Sequence, residues 1–180
     1  MKQEELNGIM KRHKAWLEGK FGGERADLHG AILRGAILED SKLQGAILRG
    51  AILRQSDLRR SDLHHAILEY SELQGADLRG ALLQHSNLRG AGLRHCDLRG
   101  ADLDYASWPL WCGSLKAYVD DRIAIQLLYH TLSVVQHSPY VSEDVKRTLL
   151  TQEVVDVANR FHRVDECGKL KTWEEIKDDT

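Results

Sequence analysis

Between Leu28 and Leu103 a leucine recurs at every fifth position without a gap, sixteen in all. Two positions before each leucine sits a small residue: alanine ten times, serine five times (Ser41, Ser56, Ser61, Ser71, Ser86) and Cys96 once. An α-helix cannot use this pattern. Five residues advance about 500° at about 100° each, so successive leucines would step around the axis by about 140° and form no stripe. A flat strand fails as well, because its side chains alternate and an odd period sends successive leucines to opposite faces. The leucines share one core only if the chain turns through a fixed angle every five residues. A turn of about 90° closes a square coil in four repeats, and such coils stack at the β spacing of about 4.8 Å.

The segments Ala26-Asp27-Leu28, Ala76-Asp77-Leu78 and Ser86-Asn87-Leu88 resemble the A(D/N)Lxx pattern of the pentapeptide-repeat family. The resemblance covers residues 26 to 105, a little under half the chain. It implies an all-β solenoid core: a right-handed quadrilateral β-helix of about four coils, roughly 19 Å long at about 4.8 Å per coil, with the leucine and the small residue facing inward. The chain departs from the pattern in five repeats, where Ile32, Ile37, Ile47, Ile52 and Ile67 replace the usual Asp or Asn.

The flanks read differently, giving three expected segments: a capping helix over 1–20, the β-helix over 21–107 and a helical segment over 108–180. Leu6, Ile9, Met10, His13, Trp16 and Leu17 form one apolar stripe at helical spacing, and Gly19 stops that helix. An open coil end exposes leucines and unpaired backbone, which this stripe can cover. Phe21 falls on the small-residue register one repeat early and is expected to plug the first coil. At the other end Trp108 takes a leucine place and Pro109 stops the ladder. Beyond it, residues 120–136 carry an apolar face through Ile123, Leu127, Leu128, Leu132 and Val135. Ser142 opens a second helix lined by Val145, Leu149, Leu150, Val154, Val157, Ala158 and Phe161, and Thr172 with Glu175 forms a capping box for a last short one.

Charge narrows the function. Lys plus Arg number 25 and Asp plus Glu 27, a formal net of -2. That balance argues against direct nucleic-acid binding and offers no polybasic membrane patch. No apolar run approaches the roughly 18 residues of a membrane span, and the N-terminus lacks a signal-peptide core. Cys96, Cys112 and Cys167 are odd in number and unlike a metal knuckle in spacing, so they read as free thiols. The expected setting is cytoplasmic. No phosphate-binding glycine loop, nucleophile elbow or HExxH motif is present, so neither a cofactor nor a catalytic residue is expected.

Fourfold geometry stacks residues twenty apart. Asp57, Asp77 and Asp97 form a column beside Arg59, Arg79 and Arg99, which reads as a self-neutralising ladder on a solvated wall. Arg34, Arg54 and Arg94, interrupted by Gln74, stack where no Asp column faces them and make a positive stripe, suited to an acidic partner or simply solvated. His64, His65 and His85 share a face without a carboxylate or thiol to complete a metal set, so no metal is expected. His162 and Cys167 lack anything to orient them as base and nucleophile. The isoleucines are the informative departure. Ile32 lies under Ile52 and Ile47 under Ile67 on adjacent faces, with Ile37 nearby, and a cluster of five apolar side chains outside a solenoid calls for a cover. The chain's own helices, a second copy or another protein remain open as that cover.

The sequence therefore reads as a non-enzymatic structural or protein-interaction module of unknown partner. The alternative comes from the resemblance: some members of the family imitate duplex DNA and occupy a type II topoisomerase. Mimicry needs a long acidic surface. Residues 24 to 105 hold 12 acidic side chains against 11 Lys plus Arg.

Overall fold

The computed structural model describes residues 1–107, 117–160 and 164–178. Trp108, Pro109, Cys112, Phe161, His162 and the Cys167 side chain lie outside the described residues. Each five-residue repeat closes on a β-turn. The N–H of the small residue donates to the carbonyl of the preceding leucine, as from Ala31 to Leu28 (3.1 Å) and from Ser56 to Leu53 (3.2 Å). The residue before the small one has positive φ at every corner from 30 to 105, whether glycine or not; Asp40, Gln55, Arg60, His65, Tyr70, His85, His95 and Tyr105 are the non-glycine cases. Left-handed backbone at the third turn position is what a type II turn requires. It costs a residue with a Cβ roughly 1–2 kcal/mol.

Hydrogen bonds between layers offset that cost. Leu33 donates to Ile52 (2.8 Å) and Ile52 donates to Ala31 (2.9 Å), and the same pair of bonds recurs around the coil. The resulting isolated parallel bridges join residues twenty apart. They define four columns: Asp27, Ile47, Ile67, Asn87 and Ser107; Ile32, Ile52, Glu72 and Gly92; Ile37, Asp57, Asp77 and Asp97; Lys42, Asp62, Leu82 and Asp102. Asp97 then bridges Tyr118 rather than residue 117. Leu43, Leu58, Leu63, Leu73, Leu83 and Leu98 have no exposed surface, and Leu78 only 1%. At Ser56, Ser61 and Ser71 the buried hydroxyl turns back onto the chain, as Ser61 Oγ donates to Leu58 O (2.7 Å). Burial pushes the Cys96 thiol up to about 12, so it remains a neutral packing group.

α1 (Gln3–Leu17) closes the open end of the first coil. It carries Glu4 and Glu5 in its first turn and Lys14 in its last, all favourable to its dipole. It ends in a Schellman arrangement: Lys20 N–H donates to Ala15 O (2.8 Å) and Gly19, at φ 65°, donates to Trp16 O (3.0 Å). Phe21 does not plug the coil; it is fully exposed. Leu6 and His13 are the buried residues of this cap. His13 Nδ1 accepts the Ala26 N–H at 3.0 Å, satisfying a backbone donor the first coil would otherwise leave unpaired. The helix already fills the position assigned to Phe21.

The chain divides into two compact units, Met1–Val119 and Asp120–Thr180. In the second, α2 (Asp121–His137) is capped by Asp120, which accepts from Ile123 N–H (3.0 Å). The single helix expected after Ser142 is two: α3 (Glu143–Leu149) and α4 (Gln152–Ala158). Leu150 and Thr151 leave the helical backbone between them, and Leu150 turns into the core, where its carbonyl accepts from Trp173 N–H (2.9 Å). As a result Val145, Leu149 and Val157, expected on the buried face, are partly exposed. Ser142 stands at the N-cap but its hydroxyl makes no capping bond. After the short α5 (Val164–Cys167), α6 (Trp173–Asp178) begins with Thr172 N–H donating to Glu175 and Glu175 N–H donating back to Thr172 Oγ1. Among the described residues no helix is long and apolar enough to cross a membrane.

Candidate interaction surface

The five isoleucines occupy the position just before the leucine, where a side chain points away from the core. The bridges place Ile32 beside Ile52, Ile47 beside Ile67, and Ile37 beside Asp57. Ile47, Ile52 and Ile67 are half-buried, whereas Ile32 and Ile37, in the first layer, are 61% and 67% exposed. The start of α1 reaches the backbone of these two. The Met1 amine donates to Ile32 O (2.8 Å), and the Gln3 side chain both donates to and accepts from Ile37 (3.4 Å each). It leaves their side chains open.

The rim of this flank is charged but not uniformly positive. Arg54 pairs with Glu72 at 2.7 Å and Arg49 pairs with Glu69. Arg34 donates to Gln55 Oε1 (3.2 Å). Arg94 is exposed and has no ion pair among the described residues. The expected positive stripe of Arg34, Arg54 and Arg94 is thus corrected: Glu72, in the adjoining column one layer up, neutralises its middle. The same offset of eighteen residues recurs in Gln44 with Asp62, Gln84 with Asp102 and Glu69 with Asn87.

Asp57, Asp77 and Asp97 each hold the arginine two residues along, with the nearest oxygen and nitrogen 2.6 Å apart. Weaker pairs cross the layers, Arg59 to Asp77 at 3.8 Å and Arg79 to Asp97 at 3.7 Å. The hydrogen bonds from Arg59, Arg79 and Arg99 hold the three carboxyls below their ordinary range. This wall satisfies itself.

On a neighbouring corner His65 stacks on His85 and His85 on Tyr105, both at 4.8 Å between ring centres, the layer spacing itself. His64 turns instead to Asp62 (2.6 Å). Among the described residues no group of three or more His, Cys, Asp or Glu is arranged to hold a metal ion. His13 is the residue whose role the helical stripe conceals. It looks like one more amphipathic position, yet it supplies the bond that joins cap to coil. Burial first, and the Arg25 charge second, hold its pKa below the usual imidazole value.

A core of repeated leucines wrapped by four outward columns defines a repeat solenoid whose chemistry lies on its outer walls. The sequence profile of the family described as pentapeptide repeats matches in eight copies, over residues 24–60, 36–70, 53–84 and 71–107. Residues 24–107, a little under half of the chain, thus carry pentapeptide repeats, and such repeats imply the right-handed quadrilateral β-helix. No curated protein sequence matches the chain. Among solved structures it is similar to the pentapeptide repeat protein Rfr23 from the cyanobacterium Cyanothece 51142, with 38% identity over 56% of this chain and 66% of that one, at a TM-score of 0.47. It is also similar to a pentapeptide repeat protein from Nostoc PCC 7120, 29% identical over 61% of this chain and 93% of that one, TM-score 0.29. A trypsin-treated form of QnrB1, a plasmid-mediated fluoroquinolone resistance protein, is 19% identical over 61% of this chain and 62% of that one, TM-score 0.23. The chain thus spans just under two thirds of the Rfr23 and QnrB1 chains.

Proposed function

We propose that this protein is a non-enzymatic interaction module, a rod of about four coils that offers its isoleucine flank to a protein partner or to a second copy of itself. The observation that carries the reading is the exposure of Ile32 and Ile37 in the first layer, with Ile52 above Ile32 and the half-buried Ile47–Ile67 pair in another column. Leaving a full isoleucine in water rather than burying it forfeits on the order of 2 kcal/mol. Repeat packing does not demand these residues, since the same register holds Asn87, Gly92, Asp97 and Asp102 higher up.

The test changes Ile47 and Ile67 to Asp, the residue the repeat prefers. A dimer that becomes a monomer by light scattering, with its circular dichroism intact, identifies the flank as a self-interface. A monomer that keeps its melting temperature leaves the flank to another protein. A monomer that loses several degrees shows that the chain covers the patch itself, and the reading is wrong. Imitation of DNA is disfavoured by the arginine beside each aspartate of the acidic column. No inhibition of gyrase supercoiling is expected at micromolar protein; inhibition abolished by high salt would restore that alternative.

A further inference from the structure

Phe21 stands wholly in water, yet its backbone is fixed. It is the second residue of a tight turn, Lys20 to Gly23, closed by Gly23 N–H donating to Lys20 O (3.1 Å). Gly22 supplies the positive φ, 76°, at the third position. Gly23 admits no side chain, because a Cβ there would lie 2.3 Å from Trp16 N. Both ends are tied to α1: Lys20 N–H donates to Ala15 O (2.8 Å) and Glu24 N–H to Arg12 O (3.1 Å). A single exposed apolar residue is ordinary on a protein surface. An aromatic ring on so fixed a turn is not, because little ordering remains to be lost when it is bound.

The surroundings are basic. Residues 11–25 hold Lys11, Arg12, Lys14, Lys20 and Arg25 against Glu18 and Glu24, a net of +3 within a chain of net -2. Two of the cations pair with the two carboxylates, Arg12 with Glu24 (3.0 Å) and Lys20 with Glu18 (2.5 Å); Arg25 donates to Gly45 O (2.6 Å) but keeps its charge, so a positive excess remains at Lys11, Lys14 and Arg25. We propose that Phe21 is a preorganised anchor that seats in an apolar pocket of a protein partner whose rim carries carboxylates. A rigid aromatic at the centre of a polar ring is the usual make-up of an interface hot spot. An anionic bilayer fits less well, because Glu18 and Glu24 flank Phe21 in the sequence and one aromatic with so small a cationic excess holds a membrane weakly. The inference rests on the interaction-module reading, but not on the isoleucine flank.

The experiment places p-benzoylphenylalanine at position 21 of the full chain, irradiates cells of the native host and sequences the crosslinked peptides. The partner so found is purified and titrated with wild type, Phe21→Ala, Tyr140→Ala as an exposed control, and the Ile47→Asp, Ile67→Asp variant. The expected result is one protein adduct at a segment with Asp or Glu beside apolar residues. Its affinity should fall at least about tenfold in Phe21→Ala and with added salt, be unchanged in Tyr140→Ala, and show no loss of melting temperature in any exposed-site variant. A lipid adduct, a crosslink to a second copy, no adduct, or a partner indifferent to Phe21→Ala would overturn the proposal. A partner lost only in the isoleucine variant would overturn it while leaving the module reading standing.

Discussion

The two compact units are stabilised in opposite ways. In Met1–Val119 the same few contacts are made at every layer: leucine on leucine, a turn bond and a pair of interlayer bonds. In Asp120–Thr180 each contact is made once. Tyr129, Leu132, Val135, Leu150, Val155, Ala158 and Leu170 form a core in which no position repeats another. Repetition spreads stability over many equivalent sites, so that a fault at one layer interrupts a continuous stack. A singular core concentrates it in a few side chains.

The strongest break in this contrast is Leu78→Asp. It buries an unpaired carboxylate in the middle of the leucine stack and should cost roughly 5 kcal/mol or more, removing the cooperative melting of the repeat unit. A soluble variant with an unchanged melting temperature would show that Leu78 faces outward. In the other unit Leu132→Ala, at a site 2% exposed, should cost about 2–4 kcal/mol through lost burial and a cavity, read from urea unfolding followed by tyrosine and tryptophan emission.

The joint between cap and coil should depend on pH. Because the folded pKa of His13 is lowered, its stabilising effect is complete above the ordinary imidazole value of about 6.5 and is lost as pH falls through the lower folded value. Melting temperature should therefore decline on acidification below about 6.5, and part of that slope should vanish in His13→Gln. An identical slope in the variant would remove His13 from the account. Smaller still, Gln55→Gly relieves left-handed strain at an exposed corner and should raise stability by up to about 1 kcal/mol. Last, Asp77→Asn removes one member of a largely solvated ladder and should cost less than about 1 kcal/mol, a difference that shrinks further in molar salt.

How much of this was legible follows the same division. The period of five gives the coil, the inward leucines and the twenty-residue columns directly, because each repeat imposes the same geometry. The Ile32–Ile52 and Ile47–Ile67 pairs come from that period alone. Arg54 with Glu72 escapes a reading that pairs each arginine with the carboxylate two residues before it in its own layer, because here the partner lies eighteen residues on, in the layer above. The register does not extend backward past Ala26 to Phe21, because α1 closes the coil there through His13. The split between α3 and α4 left no mark in the apolar pattern; it depends on Leu150 entering a tertiary core.

The cap fits the coil in one rotational setting only, since His13 meets Ala26, Met1 meets Ile32 and Gln3 meets Ile37 on three successive faces. Duplicating one repeat above Leu43 would preserve every turn and lengthen the stack by a quarter of a layer. Everything beyond the insertion would then be rotated by about 90° relative to α1. Insertions of five thus act as an angular gear, setting the azimuth of the outer walls against Phe21 without touching the core. Only an insertion of twenty restores the original heading. A lineage of such proteins can therefore re-aim its surfaces by copying error alone.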